Sequence, residues 1–124
     1  EASKIMIKGK NIPTVDKDSS IQDVVIKISS GGLGCVVVTD KKKNMYGFIT
    51  DGDINRAIKK FKNIFFKRAG DIMSKKPKII STKILVVDAL KIMNEQKITV
   101  LIVTKSKKPY GIVHMHDILS FLGS

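Results

Sequence analysis

The chain has 124 residues, 43% apolar and 27% charged, the balance of a globular chain rather than a disordered one. That is enough for one compact domain, or for two small halves sharing a core. It contains no run of roughly eighteen apolar residues, which excludes a membrane-spanning helix of the usual kind. The net charge of +12 invites a nucleic-acid reading, but 21 of the 23 basic residues are Lys. Arg is the side chain that reads bases and phosphates in bidentate fashion. The lysines are spread over turns and helix surfaces, and with 19 Ile they look like a general drift in composition. They read as solvated surface, so neither nucleic acid nor membrane is expected as a partner. The opening Glu1-Ala2-Ser3 has no initiator Met and no signal-peptide pattern, so the chain reads as a piece of something longer. A single cysteine, Cys35, cannot form an internal disulfide, which fits a reducing cytoplasm.

In chain order, Ser3 to Met6 reads as a helical turn and Ile7 to Asn11 as a loop. Ile12-Pro13-Thr14-Val15 is a short extended piece, kept at an edge or start by Pro13. Asp18, Ser19 and Ser20 are cap candidates for an amphipathic helix through Ile21, Val24, Val25 and Ile28 to about Ser30. Gly31-Gly32 stops it. Cys35 to Thr39 is a β-branched run and reads as a buried strand. After the polar turn Asp40 to Asn44 comes the strand Met45 to Thr50. A helix follows from Asp51 to about Lys60, with Ile54, Ala57, Ile58 and Phe61 on one face. Asn63 to Gly70 links to a second set, held down by Ile64, Phe65 and Phe66. The second set is an extended Pro77 to Ile80, a helix Ile84 to Gln96 through Val87, Ala89, Leu90 and Met93, and a strand Thr99 to Thr104. The turn Lys105 to Pro109, the strand Tyr110 to Val113 and the helix His116 to Leu122 complete it.

The second set repeats the first. Asp23 matches Asp88 and Thr39 matches Thr104 at an offset of 65, while Gly47 matches Gly111 and Asp53 matches Asp117 at 64. One residue is lost in the intervening turn, where loss is cheap. Each repeat, residues 1–66 and 67–124, is β-α-β-β-α, which calls for α/β (α+β) layers. A half of this size is marginal alone, so the two are expected to pack as a pseudo-two-fold disk.

The chemistry concentrates where the second hairpin strand hands over to the last helix of each repeat. Thr50 and Asp53 put a hydroxyl and a carboxylate among free helix N–H groups. They can meet the vicinal hydroxyls of a ribose, beside a helix end that favours phosphate. Alternatively Asp51 or Asp53 caps the helix. In the second repeat, His114 and His116 lie two apart, on one face if the strand continues through them. They could contact an anionic ligand, be surface histidines, or form a metal pair, though two ligands without Cys or a third His are too few. Gly31-Gly32-Leu33-Gly34 precedes a strand rather than following one, so it is a helix stop and not a dinucleotide loop. Cys35 reads as an inert core thiol. No catalytic constellation stands out, and no metal or required cofactor is expected.

Gly47-Phe48-Ile49-Thr50-Asp51-Gly52-Asp53 resembles the signature of tandem cystathionine-β-synthase (CBS) domain pairs: Gly, two apolar residues, Ser or Thr, two variable residues, Asp. The resemblance covers essentially the whole chain. The second copy departs, with His114 in place of the hydroxyl residue between Gly111 and Asp117. Thr50-Asp51-Gly52-Asp53 with Arg56, Gly111 to Asp117, Ala69 to Met73, and Lys97-Ile98-Thr99 are similar to the C-terminal CBS pair of D-arabinose 5-phosphate isomerases. The resemblance implies a non-catalytic regulatory module attached to an N-terminal sugar-isomerase domain. That domain interconverts ribulose 5-phosphate and arabinose 5-phosphate for synthesis of the lipopolysaccharide sugar 3-deoxy-manno-octulosonate (Kdo). It further implies ligand binding by Thr50, Asp53, Thr99, His114, His116 and Asp117, with Asp51 left to cap the helix. The ligand would be a nucleotide or sugar nucleotide (CMP-Kdo, AMP or ATP), and the module a homodimer through its helices. The competing expectations are a general adenosine-nucleotide sensor and an oligomerisation module without ligand.

Overall fold

The computed structural model describes residues 7–8, 11–75, 79–81 and 83–123; the turn expected at Ser3 to Met6 and the residue Pro77 lie outside them. The chain is mixed α/β and forms two compact units, Ile12–Pro77 and Glu1–Asn11 with Lys78–Ser124.

In the unit Ile12–Pro77, β2 (Thr14–Asp16) runs parallel to β3 (Cys35–Thr39), which is antiparallel to β4 (Met45–Thr50). Helix α1 (Ile21–Gly31) joins β2 to β3, and α2 (Asp51–Lys60) follows β4. The local chemistry explains each boundary. Ser20 Oγ accepts from the Asp23 N–H at 3.1 Å and starts α1. Gly32 ends it at φ 70°, where nothing would touch an added side chain, so the backbone conformation alone asks for glycine. All of β3 is buried, as a run apolar on both faces requires. Val36 and Val38 pack with Val24, Ile28, Ile49 and Ala69, and beside them Ile21, Ala57 and Ile64 form a second cluster. In the turn after β3, Asp40 Oδ1 accepts from the N–H groups of Asn44 and Lys42. These bonds, the Asn44 one first, hold its carboxyl below the usual carboxylate value.

The other unit has the same succession: β5 (Ile79–Ile80), α4 (Val86–Gln96), β6 (Val100–Lys105), β7 (Lys108–His114) and α5 (Met115–Leu122). Its core is Ile80, Val86, Ala89, Met93, Leu101, Val103, Val113 and Ile118. The hairpins share one irregularity. The pairing slips between Val38 and Thr39 in one and between Val103 and Thr104 in the other. The extra residues so accommodated are Tyr46 and Tyr110, so the Tyr-Gly pairs mark a repeated β-bulge.

β1 (Ile7–Lys8) pairs antiparallel with β7, which corrects the loop expected at Ile7 to Asn11. The same device recurs after α3 (Ala69–Ile72), where Ser74 exchanges both backbone hydrogen bonds with Phe48 of β4. This crossing explains Gly47: a methyl group there would collide with Met73 Sδ, lie 2.8 Å from its Cγ and 3.0 Å from the Ser74 carbonyl.

Four apolar expectations are corrected. On α1 the buried stripe is Ile21, Val24 and Ile28, and Val25 beside it is exposed. The linker forms a 3-10 turn, Ile64–Phe66. Its period of three sends only Ile64 inward, leaving Phe65 and Phe66 67% and 84% exposed. Ile58 lies beside the buried stripe of α2 and is exposed. On α4 the stripe runs through Val86, Ala89 and Met93, so Val87 is exposed instead.

Candidate functional site

In the unit Ile12–Pro77, Thr50 ends β4 opposite Cys35 and begins α2. Its extended backbone turns the hydroxyl toward the helix, where Oγ1 accepts from the Asp53 N–H at 3.2 Å. Asp53 reciprocates: Oδ2 accepts from the Thr50 N–H at 2.9 Å and from its hydroxyl at 3.1 Å. The pair is a capping box. The capping role expected of Asp51 therefore falls to Thr50 and Asp53, and Asp51 is an exposed first-turn residue. The other carboxylate oxygen of Asp53 accepts from Arg56 at 2.7 Å, and the Asp53 side chain is only 17% exposed. The Gly34 carbonyl closes the junction by accepting from the Asp51 N–H at 3.0 Å.

Burial, with a smaller contribution from the Asp51 charge, pushes the Cys35 thiol up to about 12. A thiol so held is not a nucleophile at neutral pH.

The other unit builds the same junction from different side chains. Thr99 is exposed and lies just before β6, not within the strand as expected. Its carbonyl accepts from the Met115 N–H at 2.8 Å, matching the Gly34 contact. His114 caps α5, with Nδ1 accepting from the His116 N–H at 3.0 Å, which places the proton of the neutral ring on Nε2. His116 is exposed and Asp117 half-buried in the same first turn. The six residues named from sequence thus fall into two sets, one per unit: Thr50 with Asp53, and Thr99 with His114, His116 and Asp117. Gly34 is the member that sequence reasoning leaves out; the offset of 65 that pairs it with Thr99 was the signal available. Among the described residues no group of three or more His, Cys, Asp or Glu side chains could hold a metal ion, and no helix is long and apolar enough to cross a membrane.

A groove of about 970 Å³ opens at the far end of the first sheet, beyond the carboxyl ends of β2 and β3. Asp16, Lys17, Thr39, Lys42 and Tyr46 help line it, and none of the six residues does.

The two units thus carry two copies of one strand–helix junction, each with an aspartate three residues past its cap, Asp53 after Thr50 and Asp117 after His114. The family model described as CBS domain matches residues 2–60 and again 69–124. The chain belongs to the CBS-domain family. Its pair of CBS domains is 40% identical over 116 residues to an uncharacterized protein of Rickettsia prowazekii (strain Madrid E), covering 94% of this chain and 36% of that protein. It is 36% identical over 117 residues to the arabinose 5-phosphate isomerase KdsD of Yersinia pestis, covering 94% and 36% respectively. The chain therefore spans about a third of the length of the curated relatives it matches. The crystal structure of CBSX2 in complex with AMP superimposes with a TM-score of 0.83 at 21% identity, covering 98% of this chain and 94% of that one. This likeness shows the shared fold. The chain itself is a CBS-domain pair, not a catalytic domain.

Proposed function

We propose that this CBS pair is the regulatory ligand-binding and dimerisation module of an arabinose 5-phosphate isomerase. The observation that carries the reading is the 36% identity to KdsD along 94% of the chain. The parent protein would carry an N-terminal sugar-isomerase domain that converts ribulose 5-phosphate to arabinose 5-phosphate in the cytoplasm, for Kdo and lipopolysaccharide synthesis. The ligand would be a nucleotide such as CMP-Kdo, the activated end product. No cofactor is required for such a role.

The junctions are suited to it chemically. Asp53 and the Thr50 hydroxyl satisfy each other and Arg56; ribose hydroxyls can replace these partners without leaving a polar group unpaired. In the second unit, His114 and His116 can donate to a carboxylate or phosphate, beside Thr99 and Asp117. Binding would regulate the isomerase only through different affinity for two of its states. Exposed apolar side chains such as Ile26 on α1 and Val87 on α4, 57% and 65% exposed, offer material for a homodimer.

A melting series with CMP-Kdo, CMP, AMP and adenosine tests the reading. Ligand at a hundred times its dissociation constant stabilises by about 2.7 kcal/mol. CMP-Kdo should give the largest rise, and His114→Ala should reduce it. The general adenosine-nucleotide sensor is the second reading, favoured by the likeness to the AMP complex of CBSX2. It replaces the first if AMP or adenosine gives the largest rise and His114→Ala changes nothing. No shift with any compound leaves a plain oligomerisation module.

A further inference from the structure

Between Asp53 and Asp71 the chain carries six basic residues and no acidic one. Both of its Arg and three of its five Phe fall in the same span. Arg56 is already engaged, lying against Gly52 and held by Asp53 at 2.7 Å. The other five, Lys59, Lys60, Lys62, Lys67 and Arg68, have no carboxylate partner among the described residues. Elsewhere the lysines are spread over turns and helix surfaces; here basic side chains alternate with aromatic rings.

The backbone explains the display. Helix α2 ends at Lys60, and the extended backbone of Phe61 carries the chain off it. Asn63 Oδ1 accepts from the Phe65 N–H at 3.0 Å and starts the three-residue turn Ile64–Phe66. The turn is anchored by Ile64 and presents Phe65 and Phe66 to solvent. Half-buried Phe61 packs against the cluster of Ile21, Ala57 and Ile64, so its ring is fixed. Two ammonium groups gather on that ring: Lys60 Nζ lies 5.3 Å from its centre and Lys67 Nζ 4.5 Å. The ring attracts each of them, yet the two like charges repel each other, and an external anion relieves that repulsion. Ile58, exposed on α2, adds an aliphatic side chain to the same stretch.

We infer that this segment docks on an anionic membrane surface: Phe65 and Phe66 enter the headgroup layer, and the five unpaired basic side chains meet lipid phosphates around them. Such docking is separate from the nucleotide binding proposed at the junctions and does not depend on it. Charge complementarity selects the occupant. Apposing this surface to its own copy would bring unpaired cations against unpaired cations. A folded protein would need a pocket for two adjacent rings as well as an acidic rim. A bilayer interface takes both rings without a pocket and supplies the anions beside them. Lysine suits the flanks, since its stem lies along apolar surface while the ammonium stays in water. Nucleic acid would stack bases on the rings, but the fixed ring, Phe61, already carries two ammonium groups, and Ile58 has no face for stacking. No helix among the described residues is long and apolar enough to span a bilayer, so the attachment is peripheral and weakened by salt.

Co-sedimentation of the full chain with lipid vesicles tests this. The chain should pellet with vesicles of phosphatidylcholine and an equal part of phosphatidylglycerol, stay in solution with pure phosphatidylcholine, and be released by raised salt. Phe65→Ser with Phe66→Ser should lower vesicle affinity about tenfold or more. Lys59→Gln with Lys62→Gln should do the same. All four side chains are exposed, so both variants should keep the wild-type melting temperature. Lys41→Gln with Lys42→Gln removes the same charge from the turn after β3 and should change affinity by less than about threefold. If the two lysine pairs weaken binding equally, or if the Phe pair has no effect, diffuse charge accounts for the binding and the docking surface is overturned. It is overturned as well if the chain ignores anionic vesicles. Binding of polyuridylate that is lost with Phe65→Ser and Phe66→Ser would then assign the segment to nucleic acid instead.

Discussion

Asp53 shows how one side chain serves two ends. It completes the cap of α2 and is also the carboxylate proposed to meet a ligand. Asp53→Ala should therefore cost about 1 kcal/mol of stability, the usual worth of a cap, while urea denaturation still reports a cooperative fold. The same variant should lose most of its ligand-induced rise in melting temperature. Cys35 belongs at this scale too. It is fully buried, and its thiol is pushed up to about 12 from an ordinary value of 9.0. The folded state thus prefers the neutral thiol, and the stability this contributes is complete below pH 9. It is lost as pH rises from there toward 12, because only the unfolded chain then gains by ionising. A Cys35→Ala variant should show a shallower alkaline decline in urea midpoint than the wild type. Native protein at pH 8 should leave an aromatic disulfide reagent unreacted until denaturant is added, and prompt reaction in buffer would contradict the burial.

At the scale of elements, the repeat lets one half act as a control for the other. The helix α1 ends on Gly32 at φ 70°, whereas α4 ends on Lys97 at φ 56°. A side chain in the left-handed region costs roughly 1–2 kcal/mol. Lys97→Gly should accordingly raise the urea midpoint, and Gly32→Ala should lower it; equal behaviour of the two variants would refute the assignment. Gly47 is a different case, since its backbone is ordinary and its neighbours are not. Filling the space against Met73 and Ser74 should cost about 1–3 kcal/mol by overpacking. Gly47→Ala should thus be destabilised in thermal melts, and the additional change Met73→Ala should recover part of the loss by removing the collision.

For the whole molecule, the open matter is assembly. The proposed homodimer would cover apolar side chains of α1, α4 and α5, among them Ile26, Val87 and Leu119, each more than half exposed. Light scattering at high micromolar concentration should give twice the chain mass, and a polar substitution such as Val87→Glu should reduce it toward the monomer. A single-chain mass throughout would leave the apolar faces to the rest of a longer protein.

Much of the fold was legible before any coordinates, because local rules agreed with each other. The buried strand Cys35–Thr39, the strand Met45–Thr50 and the helix Asp51–Lys60 follow from a β-branched run, a turn and a change of period from two to 3.6. The offsets of 64 and 65 made the second half readable from the first. The candidate site was legible as a place: both repeats put their polar residues at the junction. Its internal wiring was not. Whether Asp51 or Asp53 caps α2, and whether Arg56 points to solvent or folds over Gly52, depends on side-chain distances that spacing does not encode. The same holds for Ile7 and Ser74. Each is a short polar-flanked stretch with no periodicity of its own, and each becomes sheet because a strand edge far along the chain offers it unpaired N–H and C=O groups. Phe65 and Phe66 failed in the opposite sense: hydrophobicity argued for burial, but a three-residue turn can aim only one of its side chains at a core. Composition and period belong to the sequence; the choice of partner is made by what the tertiary fold brings within a few ångströms.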